Sequence, residues 1–152
     1  MRLEIAEARR RFARARVLRL ATTDGDGRPH LVPATFALDA DTVVMAVDHK
    51  PKRHQDLRRL RNIRANPAVS LLVDHYDEDW RRLWWVRADG RARILPDASA
   101  DGHTAAVERL VAKYPQYTGR APRGPVTEVA VVRWTGWAYS GDPGRGPDSS
   151  EG

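Results

Sequence analysis

Apolar positions along this chain follow two periods, and the switches between them lay out the elements. Ile5, Ala8, Phe12 and Ala15 recur at helical spacing with Arg9, Arg10 and Arg14 between them, which predicts a short amphipathic helix over residues 2–14. The period then shortens. Residues 17–22 read as a strand, Asp24-Gly25-Asp26-Gly27 supplies turn residues that tolerate positive φ, and residues 30–38 return as a second strand. Asp39-Ala40-Asp41 is a further turn, and residues 42–47, β-branched and apolar on both faces, predict a central strand. Pro33 interrupts the strand before it and cannot donate a ladder hydrogen bond. That strand must therefore bulge, lie at an edge, or face something other than a neighbour, for which a planar ligand is one choice.

Helical spacing resumes with Leu57, Leu60 and Ile63, predicting a helix over residues 53–65 with arginines on its remaining faces and Asn66-Pro67 as its stop. Residues 69–73 form another strand. After an acidic, aromatic loop over residues 74–80 comes a long strand at 83–94, in which Asp89-Gly90 marks a bend or bulge. Ala105, Ala106, Val107, Leu110 and Val111 predict a helix over 98–113, and the Pro/Gly-rich stretch 114–125 is long enough to be a lid or binding loop. Residues 126–139 close the folded part as a strand. Residues 141–152 hold no hydrophobic side chain and read as a disordered tail behind one domain spanning 1–140. This order of elements describes a mainly β, α+β fold, a mostly antiparallel barrel with helices covering its ends.

Composition narrows the chemistry. The 152 residues fit one domain, and the absence of Cys removes disulfide scaffolds, thiolate metal sites and Cys nucleophiles. It also agrees with a reducing, cytoplasmic setting. No stretch approaches the roughly 20 apolar residues of a membrane helix, so the expectation is a soluble, unprocessed protein that does not meet a membrane. The formal charge is +6, and its placement matters more than its size. Residues 50–64 hold seven basic side chains against Asp56, and residues 1–19 hold seven arginines against Glu4 and Glu7, so the remainder is net acidic. Confinement of this kind favours local anion sites over a general polyanion surface.

Only three of the 26 basic residues are Lys, and two of them, Lys50 and Lys52, fall in Asp48-His49-Lys50-Pro51-Lys52-Arg53-His54, where the central strand gives way to the basic helix. A compact ammonium on a flexible stem suits a rounded anion such as phosphate. The stretch reads either as a phosphate-gripping turn or as an ordinary solvated helix start. Catalytic constellations are missing from the pattern. The five His form no i, i+4 pair on a predicted helix, so a zinc site would have to combine His49 and His54 with a remote carboxylate. Neither Ser70 nor Ser99 stands on a Gly-flanked elbow, there is no phosphate-binding Gly-rich signature, and Pro33 and Thr35 occupy positions where a calcium loop needs ligands. A nucleic-acid-binding barrel using the Arg-rich helix is the reading from another class; it is disfavoured by the acidic loop and the lack of an aromatic-rich strand pair. Five Trp are the remaining feature. Adjacent Trp84 and Trp85 must point to opposite faces of their strand, which suggests an aromatic face buried against a second copy of the chain.

Four segments together resemble the pyridoxamine-phosphate-oxidase-like split-barrel proteins, and within them the probable deazaflavin-dependent enzymes. They are Asp26-Gly27-Arg28-Pro29-His30-Leu31-Val32-Pro33, Asp48-His49-Lys50-Pro51-Lys52, Leu60-Arg61-Asn62-Ile63-Arg64-Ala65-Asn66-Pro67-Ala68-Val69-Ser70, and Tyr114-Pro115-Gln116-Tyr117. The resemblance covers residues 1 to about 139. It implies a homodimer of six-stranded antiparallel split β-barrels of the FMN-binding type, with peripheral helices and two cofactor sites in the dimer seam. It further implies an oxidoreductase using coenzyme F420, with FMN as the competing cofactor, for hydride transfer to or from a conjugated small molecule; a non-catalytic cofactor carrier is the alternative. By position, Val32, Pro33, Ala34 and Thr35 would lie along the ring and ribityl chain, Val47 and Asp48 would edge the site, and Lys50, Lys52 and Arg53 would hold the phosphate. Trp85 and Trp137 would wall the pocket from the partner chain, and Tyr117, His49 or solvent would supply a proton.

Overall fold

The fold was read from a computed structural model that describes residues 1–47 and 53–139, with only the backbone described over 53–57. Helix α1 (Ile5–Arg14) leads into strands β1 (Leu18–Thr23), β2 (Pro29–Ala34), β3 (Ala37–Asp39) and β4 (Thr42–Ala46). Helix α2 (Arg53–Ala65), strands β5 (Ala68–His75) and β6 (Trp84–Leu95), helix α3 (His103–Lys113) and strand β7 (Val126–Ala138) complete it. All strands belong to one antiparallel sheet in the order β2-β1-β5-β6-β7-β4-β3.

The strand count is seven, not six, because the strand expected over residues 30–38 breaks at Thr35 and Phe36. Its first half pairs with β1 at one edge of the sheet and its second half pairs with β4 at the other. Distance shows what this requires. Six strand spacings would set the edges of a flat seven-stranded sheet about 29 Å apart, yet three Cα steps from Ala34 to Ala37 span at most about 11 Å. The sheet must therefore curl until its edges meet at Thr35–Phe36. Among the described residues β2 and β3 do not pair, so the barrel is joined by the chain itself and not closed by hydrogen bonds. Pro33 takes the edge placement among its three options, opposite Arg19 of β1.

Residues alternate between the two faces of the curled sheet. Leu18, Leu20, Leu71, Val73, Val86, Ala88 and Val129 fill the interior with Phe12 of α1, Phe36 and Ile63 of α2. Phe12 meets Phe36 and Trp134 edge to face, at 5.0 and 5.1 Å between ring centroids. Strand β4 is apolar on both faces because it divides two cores. Val43 and Met45 face the interior, while Val44 and Ala46 face Ala106, Leu110 and Tyr114 of the α3 side. Two boundaries and one helix face depart from expectation. Helix α3 starts at His103, not 98, since Gly102 takes a left-handed φ of 90° that ends the preceding turn. Strand β5 is longer than residues 69–73 at both ends. In α2, Arg59 and Asn62 are buried together with Leu60 and Ile63, so arginine is not confined to the solvent side. The expected irregularity at Asp89-Gly90 is present as a register shift between β6 and β7.

Candidate functional site

The covalent join at Thr35–Phe36 is built by side chains from the C-terminal end of α3. The Tyr114 hydroxyl accepts from the Phe36 N–H at 3.0 Å, and its single proton is shared between the carbonyls of Arg16 (2.9 Å) and Phe36 (3.0 Å). Beside it, Lys113 Nζ donates to the Ala15 carbonyl at 2.8 Å and stands 3.7 Å from the Phe36 ring centroid. Burial, with the Arg16 charge second, draws the Lys113 ammonium down to about 8. Burial likewise raises the Tyr114 phenol, which stays a neutral hydroxyl able to accept and donate.

From this clasp the 114–125 segment runs along the rim. Tyr117, in a 3₁₀ turn over Pro115–Tyr117, places its hydroxyl 3.2 Å from Thr35 Oγ1. Farther on, the Pro125 carbonyl accepts from the Val47 N–H at 3.2 Å, and the neighbouring Gly124 carbonyl accepts from His103 Nε2 at 2.9 Å. A carbonyl cannot donate, so Nε2 carries the proton. The segment expected to be a lid or binding loop thus bridges the end of β2 to the end of β4.

These contacts locate the predicted site residues. Thr35 and Val47 are brought to one rim. Val32 and Ala34 turn their side chains toward the interior core, so a ligand outside the sheet meets only their backbone, while Pro33 and Thr35 are exposed. Trp85 and Trp137 are half-buried cross-strand partners on β6 and β7. They share the outer face with Pro33, since the rungs Pro33–Arg19–Leu72–Arg87–Thr135 and Asp74–Trp85–Trp137 carry one face across the sheet. Three strand spacings, about 14 Å, separate β2 from β6, so one chain does not bring the two Trp to Pro33. Trp84 faces inward instead, against the core. Asp48, Lys50 and Lys52 lie outside the described residues, as does His49, and Arg53 is the first residue of α2.

The outer face also holds a polar cluster that the sequence reading missed. Asp89 accepts from Ser70 Oγ, from Arg87 Nε at 3.1 Å and from Arg133 at 3.4 Å. Burial opposes ionisation of this carboxyl, but the hydrogen bonds from Ser70 and Arg87 outweigh it and hold the group below its ordinary value. The clasp of Tyr114 was missed for another reason: its partners lie 78 and 98 residues away in the chain.

A curled antiparallel sheet joined at its edges beside a loop-lined rim is the split-barrel class that the sequence resembles. The family model described as pyridoxamine 5'-phosphate oxidase matches residues 5–138, and the chain belongs to that family. Among solved structures it is similar to an FAD-binding protein from Mesorhizobium loti (23% identity, TM-score 0.69, covering 90% of this chain and 95% of that one). It is also similar to the FAD binding protein from Mycobacterium smegmatis (20% identity, TM-score 0.64, 92% and 100% covered). A third is the heme storage protein HutZ from Vibrio cholerae (18% identity, TM-score 0.67, 91% and 95% covered). A comparison with curated proteins found no match. At these identities the structures show a shared fold.

Proposed function

We propose that this protein is an oxidoreductase that binds a flavin-type cofactor at the β2 rim, with coenzyme F420 as the first candidate and FMN as the alternative. Membership of the pyridoxamine 5'-phosphate oxidase family carries the reading, and the FAD-binding neighbours support a ring of this type. The residues present suit a flat heterocycle. Strand β2 is an edge strand, so alternate backbone N–H and C=O groups point away from β1 toward the rim, and exposed Pro33 offers an apolar surface beside them. Thr35 and Tyr117 add two hydroxyls, and Val47 closes the far end. Lys50, Lys52 and Arg53 are assigned to the phosphate, with Asp48 at the edge, on the family resemblance. When bound, such a ring accepts and returns a hydride. The chain's part is to orient it, exclude water and offer a proton from the Tyr117 or Thr35 hydroxyl.

The outer face supports a homodimer as part of the same reading. Leu31 and Val132 are 67% and 72% exposed, and Trp85, Trp137 and Leu72 lie on the same surface. A second copy would cover these side chains and bring its Trp85 and Trp137 toward Pro33. Titrating purified protein with each cofactor, followed by fluorescence, tests the proposal. Micromolar binding of one of them, weakened by K50Q/K52Q with the fold intact, is expected; no measurable affinity for either cofactor refutes it. The likeness to a heme storage protein favours one second reading, a non-catalytic carrier, which predicts binding with no turnover of any conjugated acceptor.

A further inference from the structure

Helix α3 supports the rim from both of its ends. At the C-terminal end Lys113 and Tyr114 join the sheet edges beside Thr35. At the N-terminal end stands His103, the first residue of the helix, which is 3% exposed and has no part in the cofactor reading. The eleven residues of the helix rise about 15 Å from one end to the other, and the 114–125 segment leaves its last turn and returns to its first. That return is sparsely paired. Pro125 lies one rung beyond the last β4–β7 partners, Ala46 and Val126, and has no N–H, so the rung can hold only the bond from the Val47 N–H to the Pro125 carbonyl at 3.2 Å. One residue earlier, the Gly124 carbonyl accepts from His103 Nε2 at 2.9 Å, and a Cβ at Gly124 would stand 3.8 Å from the Val47 Cβ.

We propose that His103 is the positioning residue for the Val47 end of the cofactor cleft: it holds Gly124 and Pro125 against β4 and so sets the opening between Thr35 and Val47. This role rests on the cofactor reading above. The His103 N–H donates to the Ala100 carbonyl at 3.2 Å, and Gly102 before it takes the left-handed φ that starts the helix, so the backbone that carries the ring is fixed. Nearly all of the side chain is buried, and packing therefore sets the direction of Nε2. Gly124, by contrast, is only half-buried, so water replaces the donor when the imidazole is removed. The contact thus decides where the segment lies more than it decides global stability.

Limited trypsin digestion of the full chain without cofactor reads this opening, because Arg123 immediately precedes Gly124 and cleavage follows the population of the open segment. H103L should speed cleavage after Arg123 about three- to tenfold, the change that one lost hydrogen bond produces, while cleavage after the exposed Arg82 keeps its wild-type rate. H103Q, whose amide reaches the position of Nε2, should restore protection to within about twofold. H103N keeps an amide but is too short to reach, so it takes the place of H103L where that variant does not fold. Cofactor titration of the same proteins should show affinity lowered about three- to tenfold in H103L and restored in H103Q. Equal cleavage of H103L and the wild type after Arg123 overturns the proposal, as does H103Q as labile as H103L, or unchanged cofactor affinity in a variant whose segment has opened. A wild type that binds neither cofactor refutes the cofactor reading instead, and the digestion, which contains no cofactor, still decides whether His103 holds the rim.

Discussion

Replacing Tyr114 with Phe removes one oxygen and tests how the edges of the sheet are held together. Tyr114 is 5% exposed and Phe36 is fully buried, so water does not replace the lost hydroxyl at the Phe36 N–H. That donor is orphaned, and the Phe36 carbonyl loses its share of the phenol proton. An unmet buried polar group costs about 1–3 kcal/mol, which puts Tyr114→Phe at about 2–4 kcal/mol. That is a large fraction of the roughly 5–15 kcal/mol that stabilises a typical domain. Each kcal/mol moves Tm by about 2–4 °C at this size, so a fall of roughly 5–15 °C is expected by circular dichroism. The functional consequence follows from position: Phe36 adjoins Thr35, so the rim loosens and cofactor affinity falls as well. Tyr117→Phe is the control, since it removes only the exposed contact to Thr35 and should leave stability within about 0.5 kcal/mol. A Tyr114→Phe variant as stable as the wild type refutes the clasp.

Two further outcomes probe the frame around the site. A Cβ at Gly90 would overlap the Ala130 carbonyl oxygen and stand 2.9 Å from Val129 Cγ1, so Gly90→Ala should lower the urea midpoint by the equivalent of about 1–3 kcal/mol; at Gly25, where nothing lies within 4 Å, the same change should stay within about 0.5 kcal/mol. Lys113 is held down to about 8 from 10.5 in the folded chain, so between these values the unfolded state binds more protons and stability rises with pH. Urea unfolding of wild type and Lys113→Met across this window should show that rise in the wild type alone, with the raised Tyr114 phenol still protonated; equal slopes in the two proteins overturn the assignment.

The sequence determined most of the elements, because local periodicity is a property of neighbouring residues. The apolar stripe of α1, the doubly apolar β4, the opposed directions of Trp84 and Trp85, and the irregularity at Asp89-Gly90 were all legible in it. So was the family, through an ordered set of short segments. Tertiary structure decided whatever depends on partners distant in the chain. Pro33 had three placements open, and pairing with β1 alone chose the edge. The strand through residues 30–38 looked continuous because no turn residue stands at Thr35-Phe36; only its pairing with opposite edges of the sheet shows the break. Arg59 reads as one more solvent arginine until its place one turn before Asn62, over the β1–β2 pair, buries it. The Tyr114 clasp shows the limit most plainly, since nothing local in Lys113-Tyr114 says that their side chains will grip carbonyls of Ala15, Arg16 and Phe36. Periodicity tells which face of an element is apolar, but which buried polar group meets which backbone carbonyl is settled only when the curled sheet brings its edges together.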